Sequence, residues 1–268
     1  MYATAQTRIA KTPDSTRINR GNIAMLIRAK DLTGYSLNSK NGEIGKVKEF
    51  YFDDRHWIVR YLVAETGNWL DERRVLLSPY ALLAVNQKTK QVSVNLTKKQ
   101  IENSPSLDTD KPVSKQYEQS YYGYYGWPEY WSGSFAWGNT PFIITDPKKR
   151  PATNSGGKAW DPDLRSTLGV QGYHIQAMDG EVGHVKDYLI DDETWEIKYM
   201  IIDTQNWIPG RTVLISPKSI DRISWDELKV FVKLSRDAIK DSPEYLENIP
   251  VTREYETMLR GQYNLQEK

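Results

Sequence analysis

GEIGKVKEFYFDD, residues 42–54, returns as GEVGHVKDYLIDD at residues 180–192, an offset of 138. Working outward from this pair, the offset holds without a gap. Gly34-Tyr35 falls on Gly172-Tyr173, Trp57 on Trp195 and Asn68-Trp69 on Asn206-Trp207. Ser78-Pro79 falls on Ser216-Pro217 and Tyr117-Glu118 on Tyr255-Glu256. From 34 to 118, 29 of 85 positions are identical. Self-similarity at a fixed period marks a tandem duplication of one structural unit.

Each unit reads as β-rich. Asn41-Gly42 and Asp179-Gly180 are strong hairpin signals and predict type I′ turns, whose central residues need positive φ. Long strands follow over 44–52 and 182–190, with Gly45 and Gly183 early in them, where glycine marks a bulge. A second strand over 57–65 alternates, placing Trp57, Val59, Tyr61 and Val63 on one face and Arg60 on the other. Its twin places Trp195, Ile197, Tyr199 and Ile201 opposite Lys198. RVLL (74–77) and TVLI (212–215) are short strands stopped by Ser-Pro. A last hairpin joins 82–86 to 92–96, and 220–224 to 230–234. LTKKQIENSP and LSRDAIKDSP then begin on a capping Thr or Ser and read as one or two helical turns. Five or six short strands with close turns predict a mainly β fold: two tandem small barrels, closed or half-closed, with short helical extensions.

Composition narrows the function. The 268 residues carry 36 basic and 35 acidic side chains, no excess for neutralising phosphate backbones, so nucleic-acid binding is not expected. Cysteine is absent, which excludes disulfides, thiol nucleophiles and zinc-thiolate sites and fits a reducing cytoplasm or a cysteine-free exported protein. The N-terminal stretch MYATAQTRIAKTPDSTRINR has no signal-peptide core, and the apolar run IAML (23–26) is far too short to span a bilayer. The expectation is a soluble, cytoplasmic protein with a flexible extension over residues 1–24.

The pattern GY-x-L-x-S-x-NGEIGKVKEFYFDD-x-x-W-x-V-RYLV, continuing to RRVLLSP, resembles the PRC-barrel domain, as in the cytoplasmic part of the photosynthetic reaction centre H subunit. The same barrel stands at the C-terminus of the ribosome maturation factor. The resemblance covers about 26–105 and 164–243, and QYEQSYYGYYGWPEYW is similar to the stretch after the barrel in stand-alone bacterial members. It implies a first PRC-type repeat with helical extension at 25–118, an aromatic tract and linker at 119–163, and a second repeat with extension at 164–268. It further implies a non-catalytic scaffold or adaptor working through protein–protein contacts as a homodimer. The H subunit's membrane helix and the maturation factor's RNA-related N-terminal domain have no match here, so neither process is implied.

Five features could carry chemistry. GEIG and GEVG precede strands rather than helix N-termini, so they read as hairpin and bulge, not as phosphate loops. Asp53-Asp54 and Asp191-Asp192 lack the alternating carboxylates of a calcium loop and read as Asx turns. His56, His174 and His184 face Thr194, Ser36 and Lys46 in the other repeat, and no catalytic constellation, metal site or cofactor site is expected. Asn68, Trp69 and Arg73, with Asn206, Trp207 and Arg211, form either a ligand notch or a loop pinned by its Trp and tied by its Arg. The notch supports an alternative function, a small-ligand or anion-binding sensor. Finally, Tyr121, Tyr124, Trp127, Tyr130, Trp131 and Trp137 are candidate interface residues, placed between the units, over one unit's own barrel, or across a dimer axis.

Overall fold

The computed structural model describes residues 25–71, 73–105, 113–149, 164–204 and 210–263. The N-terminal extension, residues 150–163 of the linker, and Asn206 and Trp207 lie outside the described residues. The first half runs β1 (Leu26–Arg28), α1 (Ala29–Leu32), β2 (Ser36–Ser39), β3 (Gly42–Asp53), β4 (Ile58–Glu65), β5 (Arg74–Leu77), β6 (Leu82–Asn86) and β7 (Gln91–Val94), then α2 (Lys98–Glu102) and α3 (Lys115–Tyr125). The second half repeats it: β8 (Leu164–Ser166), α4 (Thr167–Val170), β9 (His174–Ala177), β10 (Gly180–Asp191), β11 (Ile197–Asp203), β12 (Thr212–Ile215), β13 (Ile220–Ser224), β14 (Lys229–Val232), α5 (Arg236–Lys240) and α6 (Arg253–Gln262).

The strands form two seven-stranded sheets with matching order. One runs β5-β4-β3-β2-β7-β6 and the other β12-β11-β10-β9-β14-β13. Neither path closes on itself among the described residues, so of the closed or half-closed barrels expected from sequence no closed one is seen. The seventh strand of each sheet comes from the other half. β1 pairs antiparallel with β10, and β8 pairs antiparallel with β3. The exchange is reciprocal, and it was not foreseen from sequence.

The repeated motifs hold this exchange. Asp53 and Asp191 make the predicted turns: Asp53 Oδ1 accepts from His56 N–H at 2.6 Å, and Asp191 Oδ1 from Thr194 N–H at 2.8 Å. The second aspartate of each pair grips the visiting strand. Arg165 Nε donates to Asp54 at 2.8 Å, and Met25 N–H donates to Asp192 at 3.0 Å. The turns end on Trp57 and Trp195 at φ 57° and 60°, a region unfavourable for a bulky L-residue. Each of these residues offers its carbonyl to the other half: Val59 N–H donates to Trp195 O at 2.8 Å and Ile197 N–H to Trp57 O at 2.7 Å. Phe52 meets Tyr188 at 5.7 Å, and a single buried apolar cluster runs through both halves.

Two local expectations are corrected. The hairpin loops are Lys40-Asn41 and Met178-Asp179, one residue earlier than predicted, because Ser39 pairs with Gly42 and Ala177 with Gly180. Positive φ falls on the following glycines and not on Asn41 or Asp179, so these are not type I′ turns. Asn41 and Asp179 instead accept from the first N–H groups of α2 and α5, at 2.9 and 2.8 Å. The alternation along 57–63 also breaks. Tyr51 pairs with Tyr61 but Phe52 with Val59, so Arg60 is a bulge residue and the inward face changes sides there. Val59 and Leu62 enter the shared core, while Ile58, Tyr61 and Val63 face the aromatic tract. Gly45 and Gly183 do sit at bulges, where an added Cβ would lie 2.1 Å from the carbonyls of Glu65 and Asp203.

Candidate functional site

Three places concentrate the chemistry. The first surrounds the predicted notch. Asn68 is exposed and Trp69 half-buried, its indole N–H donating to Ile44 O at 2.9 Å. Arg73 does not face a vacancy: its guanidinium donates to Glu102 O at 3.1 Å and Ser104 O at 2.7 Å. Arg211 binds the equivalent carbonyls of Lys240 and Ser242. Both arginines thus tie the strand return to the turn after the short helix. Beside Trp69 opens a cleft of about 750 Å³, lined by Lys46, Lys48, Arg74 and Lys98 as well as Glu43 and Glu65. Arg74, one residue past the predicted arginine, is the guanidinium that lines it.

The second place is the aromatic tract. α3 is capped by Ser114 and ends on Gly126 in the left-handed region, which turns the chain back over the sheet. Tyr121, Tyr130, Trp131 and Trp137 are buried and Trp127 is half-buried, packed on Tyr61, Val63, Leu76 and Tyr80 of the first half. Tyr124 remains exposed. The tract therefore covers its own sheet. Beneath it lies a buried polar group set. Arg60, fully buried, binds Asp53 at 2.5 Å and Ala136 O at 2.7 Å and stacks on Tyr130 (4.1 Å) and Trp137 (4.7 Å). Burial alone would raise the Asp53 pKa, but the Arg60 charge and His56 hydrogen bonds hold it below the ordinary carboxylate value. Glu118 accepts from the hydroxyls of Tyr61 (2.7 Å) and Tyr130 (2.6 Å). Burial pushes the pKa of both tyrosines well up, so they stay neutral donors.

The third place is the β13–β14 hairpin tip. Trp225 is 45% and Leu228 53% exposed, and Leu168 on α4 is 49% exposed. The Trp225 ring rests against Tyr173 at 5.9 Å and under the Arg165 guanidinium at 5.0 Å. The sequence reading passed over this tip. The available signal was the repeat itself, since the first half has Gln87, Lys90 and Lys30 at these positions.

The histidines stay apart. His56 is beside Asp53 at 3.3 Å, His174 beside Glu181 at 2.5 Å, and His184 lies on β10.

Residues 25–101 match the PRC-barrel domain family. That span is a PRC-barrel domain. The match takes in β1 to β7 and most of α2, the span that carries the basic cleft. An uncharacterized protein of Deinococcus radiodurans is 28% identical over 111 residues, 40% of this chain and 39% of that protein. The similarity thus reaches less than half of that relative's length. Among the described residues no helix is long and apolar enough to cross a membrane.

Proposed function

We propose that the chain is a non-catalytic scaffold of two tandem PRC-type units that works through protein–protein contacts. The strand order of the second sheet, equal to that of the first, supports reading residues 164–243 as the second unit. The exchanged strands and shared core join the units into one frame, which suits a part that holds others in place. The observation that carries the reading is the exposed tip of Trp225, Leu228 and Leu168. Tryptophan is enriched at the anchors of protein interfaces, and an apolar tip that exposes one beside two leucines marks a contact site. Its partner is another protein or a second copy of this chain, the latter giving the homodimer expected from sequence.

The test is affinity capture with the full chain and with a Trp225→Gln, Leu228→Lys variant, which copies the residues of the first unit. A protein captured by the wild type and lost by the variant supports the reading, as does a mass by light scattering that falls to the monomer. Identical captured proteins and identical mass for the two chains would refute it.

A further inference from the structure

The basic cleft of the first unit goes beyond the scaffold reading and stands on different residues. Lys46, Glu65 and Arg74 are register partners across β3, β4 and β5, so their side chains form one row. Glu65 turns to Lys48, at 3.3 Å, leaving the Lys46 and Arg74 side chains with no ion pair or hydrogen bond among the described residues. Lys98 reaches in from the first turn of α2, its ammonium 5.2 Å from the Trp69 ring centre. Four cations thus face two carboxylates, Glu43 and Glu65. Like charges crowded on one wall repel unless an anion joins them, and a guanidinium fork with nearby ammoniums matches a tetrahedral dianion.

The second unit shows that this is not a requirement of the fold. Lys46 corresponds to His184 and Arg74 to Thr212, while Lys48 corresponds to Lys186, which is paired with Glu247 at 3.0 Å. The scaffold therefore tolerates the site's loss. At about 750 Å³ the cleft has room for more than a bare ion and falls in the range of small-molecule sites, roughly 300–1,000 Å³.

We propose that this cleft binds a small organic phosphate monoester, with Arg74 and Lys46 on the phosphate, Lys98 beside it, and the organic part along Trp69. One site per chain is expected, because the second unit lacks the two free cations. Titration calorimetry of the full chain with ribose 5-phosphate at matched ionic strength tests it, with inorganic phosphate and malate as comparison ligands. The expected result is saturable binding at one per chain, at least tenfold tighter for the ester than for phosphate or malate. Lys46→His with Arg74→Thr, again copying the other unit, should weaken it at least tenfold while leaving circular dichroism and melting unchanged. No saturable binding of the ester would overturn the proposal. So would equal affinity for inorganic phosphate, two equivalent sites, or affinity unchanged in the folded double variant. The capture experiment on the Trp225 tip is unaffected by any of these outcomes.

Discussion

Replacing Asp187 with Asn should change how stability depends on pH, because this carboxylate sits where one unit holds the other's strand. Asp187 is buried on β10 and accepts from Tyr188 N–H at 2.8 Å and from Lys30 N–H, in the segment that follows β1, at 3.2 Å. Burial pushes its pKa up from 3.8 to about 6, against the pull of the two backbone hydrogen bonds and Arg28; Asp31 pushes the same way as burial. A folded pKa above the unfolded one means the folded state holds the proton longer. The contribution to stability is therefore full below pH 3.8 and is lost as pH rises through about 6. At 1.36 kcal/mol for each pH unit between the two values, ionised Asp187 costs about 3 kcal/mol at neutral pH. Asparagine keeps an oxygen to accept both N–H groups but carries no charge. Urea unfolding followed by tryptophan fluorescence, from pH 4 to pH 7.5, should show wild type and variant converging at the acid end. The variant should then become more stable by about 3 kcal/mol at the neutral end. A gap independent of pH would refute the reasoning.

Gly45→Ala and Gly183→Ala place a Cβ 2.1 Å from a strand carbonyl at φ +131° and +148°, so each should cost more than about 4 kcal/mol or abolish folding. Gly34→Ala, with nothing within 4 Å of the new Cβ, should cost about 1–2 kcal/mol by the same denaturation assay; equal losses at the three sites would contradict the bulge argument. Arg60→Ala strands the buried Asp53 carboxylate and should cost about 3–5 kcal/mol. Lys198→Ala, at the equivalent bulge but 34% exposed and paired with Glu196, should stay within about 1 kcal/mol, and unfolding midpoints that rank the two in the opposite order would refute the contrast.

Much of the fold was legible because it is set by local chemistry that occurs twice. The Asx turns at Asp53 and Asp191, the Ser-Pro stops and the Thr97 and Ser235 caps each follow from one residue and its near neighbours. The bulge at Arg60 was not legible, since residues 58 to 64 are all buried and such a run carries no phase to read. Nor was the strand exchange. β1 and β8 are three residues each, too short to show periodicity, and choosing a partner sheet is a long-range decision that their side chains do not encode locally. Of the two readings of Asn68, Trp69 and Arg73, the Arg73 contacts are those of a loop tied by its arginine, and nothing in Asn-Trp-x₃-Arg-Arg says which guanidinium ties the loop and which lines the cleft.

Identity between the repeats and departure from it carry different information. Positions kept in both units, such as Gly45/Gly183, Asp54/Asp192, Trp57/Trp195 and Arg73/Arg211, turn out to hold turns, visiting strands and strand returns. A residue that every copy of the unit needs for folding is kept twice. A binding function needs its residues only once, and the other copy is then free to lose them. The tip with Trp225 and Leu228 against Gln87 and Lys90, and the cleft with Lys46 and Arg74 against His184 and Thr212, are departures of that kind. Both lie on surface positions where the twin shows that the backbone accepts an ordinary polar residue. Trp225 packs on Tyr173 and Arg165 and still stays 45% exposed, so folding explains it only in part; the contacts proposed above account for the rest, and for Leu228 and the unpaired cations. The two sites also fall in different units, so the pair of units carries one apolar contact surface and one basic cleft on a single frame.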